Sequence, residues 1–381
     1  MPKINAFVIL CTHGFLGERH FMKLSRLYLL MLFISGGVFA QDIEIVGHVK
    51  QSIPLPSVYS RSLLRTESNI QPAVKQITLL KLQLSDKAQQ TFRNRAKHSA
   101  SINTQWAVSE KFPGQVQLGM NNVPVMDQGS HGTCATFANT AAVDAALGKG
   151  DYISQLCQLQ LGRYLENNAY SPSGWDGSLG RIVLNQMEIF GVVNKEQQKT
   201  YGCGGFTDYP SYGADPDTEM SLSDYHQLSE DLSQEGFGWS PMLDIYQAVL
   251  KETDTSKILN DIKLALHGGE RVTFGVLLVD YNLGVVGAVG KHKTVNDTWV
   301  LTPEIMHDLE NEADFAGHEM IITGYDDNAV AIDNHGRTHR GLLTLRNSWG
   351  ADIGNKGDFY MSYDYFKSLA IEAQRIRDLR S

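Results

Sequence analysis

The way helix and strand patterning is distributed along the chain restricts the fold more than any other feature of the sequence. Between Cys134 and Gly191 the periodicity is helical: one helix starts at Cys134 and stops at Gly148, a second runs from near Ser154 to Asn167, and a third runs from Ser178 to Gly191. Glycine just past a periodic run is a usual helix stop, because without a Cβ it takes the left-handed turn that ends the ladder. The last third carries short apolar blocks instead: Met320 to Thr323, Ala329 to Ile332, Leu342 to Arg346 and Phe359 to Ser362. A helix over Leu259 to Leu266 and a strand over Val272 to Val279 precede them. Helices first and antiparallel strands later predict an α+β protein with two lobes and a cleft between them. No internal repeat is visible.

Residues 41–112 read differently. Ile43 to Lys50 and Gln76 to Leu84 alternate apolar and polar residues as strands do, and Ser85 or Asp86 caps a helix that runs through Arg93, Arg95 and Lys97. Two strands and a helix bury too little to be stable alone. The stretch therefore reads as a pro-segment packed on the rest of the chain and ending near Pro113-Gly114. It holds ten basic residues against five acidic ones in a chain of net charge −9. That contrast predicts docking assisted by charge, loosened by acid or salt, with release by cutting between Ala100 and Pro113. The polar, acidic tract 204–258 reads as an insertion in the remainder, 113–381.

From Met22 the sequence is MKLSRLYLLMLFISGGVFA, with Lys23 and Arg26 ahead of an apolar run and small residues near Ala40. This is the pattern of a signal peptide over 22–40, cleaved after Ala40, with 1–21 as an upstream extension. The apolar run falls short of the roughly 20 residues a membrane span needs, so no stable membrane anchor is expected. The product is then secreted or periplasmic. Cleavage leaves Cys134, Cys157 and Cys203, and an odd count in an exported chain suggests one disulfide and one free thiol. The acidic balance argues against a nucleic-acid partner.

The segment VPVMDQGSHGTCATFANTAAVDAAL, 123–147, places Cys134 at the first turn of a helix of small residues. Unsatisfied backbone amides and the helix dipole there favour a thiolate. Gln128, six residues earlier, could add a side-chain donor for an oxyanion beside the Cys134 amide. GHEMIITGYDD (317–327) and LRNSWGADIGNKGDFYMSYDYF (345–366) follow in that order.

These three ordered blocks resemble the papain family of cysteine peptidases. The resemblance implies a papain-like two-lobed fold, with a helical left lobe and an antiparallel β-barrel-like right lobe. It makes Cys134 the nucleophile, His318 its base and acid, Asn347 the amide that orients the ring, Gln128 the oxyanion donor and Trp349 the shield of the Asn–His bond. A carboxamide fixes the imidazole without removing its charge, so a thiolate–imidazolium pair can persist. The resemblance also places Trp175, Asp176, Gly177, Ser178 and Gly317 along the substrate groove, and a Cys157–Cys203 disulfide where the family often ties these elements together. Implied partners are protein or peptide substrates and the chain's own pro-segment; the catalytic unit is expected to be a monomer and no cofactor or metal is implied.

The chain departs from the family in having His131-Gly132-Thr133-Cys134-Ala135 where Cys-Gly-Ser-Cys-Trp is usual, so the disulfide from that first cysteine cannot form. The partner block survives loosely as Gly174-Trp175-Asp176-Gly177-Ser178, in which Trp175 is either a subsite wall or a packed aromatic. The gap between His318 and Asn347 is taken up by a hairpin turn at Asp333-Asn334-His335-Gly336. His335 and His339 sit on that hairpin and do not read as a metal site, Gly284, Gly287 and Gly290 read as a loop, and Asp215, Asp217 and Glu219 as a solvated turn. Two other readings stand beside the peptidase: a Cys-dependent transamidase or deamidase, against which Asn347 weighs, and a non-catalytic peptide-binding protein on a peptidase scaffold.

Overall fold

The computed structural model describes residues 42–54, 74–102, 113–250, 253–279, 285–286, 297–311 and 315–380. The extension 1–21, the signal peptide 22–40, the glycines at 284, 287 and 290, and linker residues 103–112 lie outside the described residues.

The N-terminal segment forms the expected hairpin and helix. Strand β1 (Ile43–Pro54) pairs antiparallel with β2 (Val74–Leu84), and helix α1 (Asp86–Ile102) follows. Ser85 caps α1 by accepting the Ala88 amide at 3.2 Å, which satisfies a donor the first turn would leave open. Ala88, Phe92 and Ala96, four apart, are fully buried and form the inward stripe of α1. The helix extends three residues, Ala100 to Ile102, into the stretch expected to be cut, Ala100 to Pro113. Strand β3 (Gln115–Gln117) opens the remainder.

The helical part comprises α2 (Cys134–Leu147), α3 (Gln155–Asn167), α4 (Gly180–Phe190), α5 (Lys195–Tyr201) and α6 (Leu222–Leu228). Ser154 caps α3 through the Cys157 amide, and Gly148 ends α2 in the left-handed conformation at φ 66°. Cys157 and Cys203 form the expected disulfide, which joins α3 to the chain after α5. Closing that loop stabilises the fold by about 3 kcal/mol.

The remaining elements are β4 (Phe237–Leu243), α7 (Ile245–Ala248), α8 (Thr255–His267), β5 (Arg271–Leu278), β6 (Val285–Val286), β7 (Thr298–Trp299), α9 (Pro303–Glu310), β8 (Phe315–Ile332), β9 (Thr338–Arg346), β10 (Asp358–Ser362), α10 (Tyr363–Leu369) and β11 (Ala370–Asp378). The strands join in the order β4-β11-β5-β8-β9-β10-β7-β6, antiparallel except for β10 with β7. The fold is α+β, as expected. Among the described residues two large hydrophobic cores result, one around Phe137, Trp175 and Leu184 among the helices, the other around Phe274, Leu343 and Phe366 under the sheet, beside a small cluster around Val300, Leu342 and Tyr360. Cys134 belongs to the second core and the rest of α2 mostly to the first, so α2 runs along the junction.

Two expectations need correction. The tract 204–258 is not only an insertion: its Phe237–Leu243 is the edge strand β4 paired to β11, and its Tyr225 is fully buried in the helical core. The blocks at 320–323 and 329–332 are one strand, β8, whose register shifts between Asp326 and Val330 where polar residues interrupt the apolar pattern. Asp215, Asp217 and Glu219 are exposed, as expected, and the Asp215 carboxylate in addition meets His131 Nδ1 at 2.5 Å.

Candidate active site

The loop before α2 is tied to the loop after β9. The Gln128 amide donates to the Ser348 carbonyl at 2.8 Å, and the Gly350 amide to the Met126 carbonyl at 2.9 Å. Ser348 Oγ donates to Gln128 Oε1 at 2.7 Å. These bonds bring Gln128, the N-terminus of α2 and Asn347 together although they are far apart in sequence. Strand β8 supplies His318, whose Nε2 lies 2.8 Å from Asn347 Oδ1. The Ser348 amide donates to the same Oδ1 at 2.8 Å, so this atom must be the acceptor and the imidazole carries its hydrogen on Nε2. His318 Nδ1 is buried and accepts no hydrogen bond among the described residues. It is the nitrogen left to take a proton.

Trp349 is fully buried and stacks on the His318 ring with centroids 4.4 Å apart; Trp299 and Phe359 back the indole edge-on. Cys134, free and buried, lies at the first turn of α2, where the backbone amides of Glu319 and Ala135 reach its thiol. In this buried setting the expected thiolate is disfavoured. Burial, and then Glu319 once it is ionised, push the Cys134 thiol up to about 12, while burial takes His318 down to about 4 against the help of Asn347. Both shifts favour the neutral pair, since neither ion has water to stabilise it.

The cover is β2. Its residues Leu80, Lys81 and Leu82 pair with Gly317, Ala316 and Phe315 of β8, immediately before the His. A Cβ on Gly177 would come 2.5 Å from Leu80 Cδ2, and one on Gly317 2.7 Å from Leu82 Cδ1. Two expected groove glycines thus lie directly against the segment, and a side chain at either would have to displace the end of a leucine. Gln128 Nε2 donates to the His131 carbonyl at 2.8 Å, and its other contact is the Thr78 carbonyl of β2 at 3.5 Å.

The other groove candidates behave differently. Trp175 is no groove wall: the tight turn Gly174–Asp176 turns its indole inward, where it is fully buried, stacked on Tyr209 and edge-on to His131. Asp176 is exposed and pairs with Arg163. Ser178 is buried just ahead of α4. Tyr209 and Glu319 carry no motif in the sequence, and His131 stands there only as a departure from the family pattern, although Glu319 leaves a trace as a charge inside the apolar block GHEMII. Among the described residues no cluster of His, Cys, Asp and Glu could hold a metal ion, and no helix is long and apolar enough to cross a membrane.

Residues 266–375 match the model of the Peptidase C1-like family. No curated protein matches the chain. Among solved structures it is similar to xylellain, a cysteine protease from Xylella fastidiosa, with 19% identity, TM-score 0.43, and 72% of this chain and 91% of that one covered. It is also similar to digestive procathepsin L 3 of Tenebrio molitor larval midgut (18%, TM-score 0.42, 74% and 79% covered) and to bromelain of Ananas comosus (16%, TM-score 0.41, 70% and 99% covered). The matched stretch, 266–375, holds His318 and Asn347 but not Cys134, and it matches the same kind of cysteine peptidase that the motifs of the chain resemble.

Proposed function

We propose that the chain is the precursor of an exported cysteine peptidase in which Cys134 is the nucleophile and residues 41–112 cover the site until they are removed. The observation that carries the reading is the His318–Asn347 bond under Trp349, which leaves Nδ1 as a base at the site where α2 presents Cys134. When a substrate binds, the thiol proton passes to His318 Nδ1 and Sγ forms a bond to the scissile carbonyl carbon. The oxyanion accepts from the Cys134 amide and Gln128 Nε2. As it collapses, the C–N bond breaks and His318 returns its proton to the leaving amine. Water then cleaves the thioester, with His318 taking and returning a proton in the same way.

The precursor reading is supported by what β2 does at this site. Gln128 Nε2 has two hydrogens. One serves the His131 carbonyl, and the other faces the Thr78 carbonyl, so the segment's own backbone takes the direction an oxyanion would use. Gly177 and Gly317, closed over by Leu80 and Leu82, become the floor of the groove once β2 departs. Export by the signal peptide 22–40 agrees with a disulfide between buried cysteines, a bond that persists in oxidising compartments.

The test is hydrolysis of an unstructured protein by the full chain, before and after its segment is cut, with a thiol-directed epoxide as inhibitor. Cleavage that is abolished by Cys134→Ala, and blocked when the epoxide labels Cys134, is expected. Cleavage retained in Cys134→Ala removes the reading.

A further inference from the structure

Behind Cys134 the two lobes meet across a sealed polar network that the chemistry above does not use. Asn139 of α2 donates to Glu319 Oε1 at 2.6 Å and to the Ala135 carbonyl at 2.8 Å. Thr273 of β5 donates to Asn139 Oδ1 at 2.8 Å and contacts Gln374 Oε1 at 3.1 Å. From β11, Gln374 Nε2 donates to Glu372 Oε2 at 2.7 Å, and the Gly180 amide of α4 donates to Glu372 Oε1 at 3.0 Å. A Cβ on Gly180 would lie 2.1 Å from Glu319 Oε1 and 2.9 Å from Gln374 Oε1, while the Gly180 amide is bonded to Glu372, so Gly180 links the two carboxylates. Glu319 is 3% exposed and Glu372 1%.

Two buried carboxylates in contact through one network do not both ionise at neutral pH; they share a proton. Burial and the neighbouring Glu372 hold Glu319 well above the usual carboxylate range. Glu372 is also raised by burial, but the Gly180 amide, Gln374 and Arg181 favour its charge. Glu372 accepts both the Gly180 amide and Gln374 Nε2, so we place the shared proton on Glu319. The other charged or titratable groups around it are Cys134 on α2, His318 on β8 itself, Arg181 on α4 acting on Glu372, and Arg346 of β9, which borders the same small cavity.

Glu319 follows the base directly in sequence, and its amide reaches the Cys134 thiol while its carboxylate is bonded to the nucleophile helix through Asn139. We propose that Glu319 is a positioning residue of the catalytic pair: protonated, it braces the Cys134 helix against the His318 strand and leaves a thiolate unopposed, whereas ionised it opposes the thiolate, and Glu372 keeps it protonated. This rests on reading Cys134 as the nucleophile. It differs from a purely structural role in one respect: the two carboxylates act on Cys134 with opposite sign. Removing the Glu319 charge helps the thiolate; removing Glu372 lets Glu319 ionise earlier and hinders it.

The experiment alkylates the full chain with iodoacetamide between pH 5 and 10 and reads the Cys134 peptide by mass spectrometry, comparing wild type, Glu319→Gln and Glu372→Gln. Each rate is referred to the same protein's rate at pH 6, which cancels differences in access beneath β2. Relative to wild type, Glu319→Gln is expected to gain about tenfold at alkaline pH and Glu372→Gln to lose about tenfold near pH 8, a displacement of roughly one pH unit either way. An infrared band of a protonated carboxyl, present at neutral pH in wild type and missing in Glu319→Gln, is the accompanying signature. Unchanged profiles, or two variants displaced in the same direction, overturn the proposal, and if one variant does not fold, the sign of the other decides. Because the readout is thiol reactivity and not hydrolysis, Cys134→Ala retaining peptidase activity would remove the proposed function without altering these signs.

Discussion

The two halves of the N-terminal segment are held to the rest of the chain by different chemistry. Strand β2 lies over the candidate site with a backbone ladder to β8 and apolar side chains, Leu80 and Leu82, set against glycines. Helix α1 lies away from the site and is pinned by guanidinium groups. Arg95 donates to the carbonyls of Lys367 at 2.9 Å, Ala248 at 3.2 Å and Ala370 at 3.1 Å, and Arg93 to that of Leu309 at 2.5 Å. These carbonyls belong to the C-terminal turns of α7, α9 and α10, which a cation satisfies well. The difference separates anchoring from inhibition: α1 fixes the segment through guanidinium donors to backbone carbonyls, while β2 keeps water from the Cys–His pair.

The largest effect is expected where anchoring is removed. Arg95→Leu keeps the apolar stem but leaves three carbonyls at buried helix ends without their donor, which costs about 4 kcal/mol. Urea unfolding of the full chain measures it, and limited proteolysis should show α1 cut before any other described element. A loss below about 1 kcal/mol would mean that the apolar stripe Ala88, Phe92 and Ala96 holds α1 by itself and that the contrast drawn here is not real.

The next effect belongs to β2 and is set by pH. Burial holds His318 at about 4 against an ordinary 6.5. Between those values the opened form binds a proton that the covered form excludes, so the covered form loses stability as pH falls from about 6.5 to about 4. Over that window the loss amounts to about 3 kcal/mol. Cys134, at about 12, adds nothing on the acid side. Hydrogen exchange of β2 amides should therefore accelerate with acid in the wild type and respond much less in His318→Asn, while α1 amides stay protected in both. Parallel acceleration of α1 and β2 would show that acid acts on the whole segment.

That outcome bears on what the sequence could disclose. Cys134 at a helix start, the order of the His318 and Asn347 blocks, the hairpin and α1 were all legible, because each is announced by local pattern or by spacing along the chain. The neutral state of the pair was not, since it depends on β2 arriving from more than two hundred residues away to pair with Gly317. Strand β4 was hidden because, as a sheet edge, it needs only part of its surface apolar, and its FGWSPML carries a proline that an edge tolerates. Strand β11 was missed for the opposite reason: AIEAQRIRD reads as charged, yet Glu372 and Gln374 are buried in the network behind the nucleophile. Trp175 could be read either way from sequence; the positive φ of Gly174, 81°, is what turns its ring into the core.

The smallest effect is expected from the charge contrast that the sequence made most conspicuous. Lys97 and Glu310 meet at 3.1 Å, but their side chains are 57% and 50% exposed, where water and salt screen the pair and two long side chains lose freedom to hold it. Lys75, better covered, reaches Asp127 beside the Gln128 loop, and this is the stronger of the two contacts. Lys97→Ala is therefore expected to change the stability of the full chain by less than about 0.5 kcal/mol, and Lys75→Ala by about 1 kcal/mol. Raising the ionic strength from 0.05 to 0.5 M, in steps that shorten the screening length several-fold, should leave the covered site closed at neutral pH. Peptide hydrolysis by the uncut full chain measures this directly. If salt alone at pH 7 produced activity comparable to that at pH 4, long-range attraction between the basic segment and the acidic remainder would outweigh both the guanidinium anchors and the buried imidazole, and the segment would be a charge-held lid.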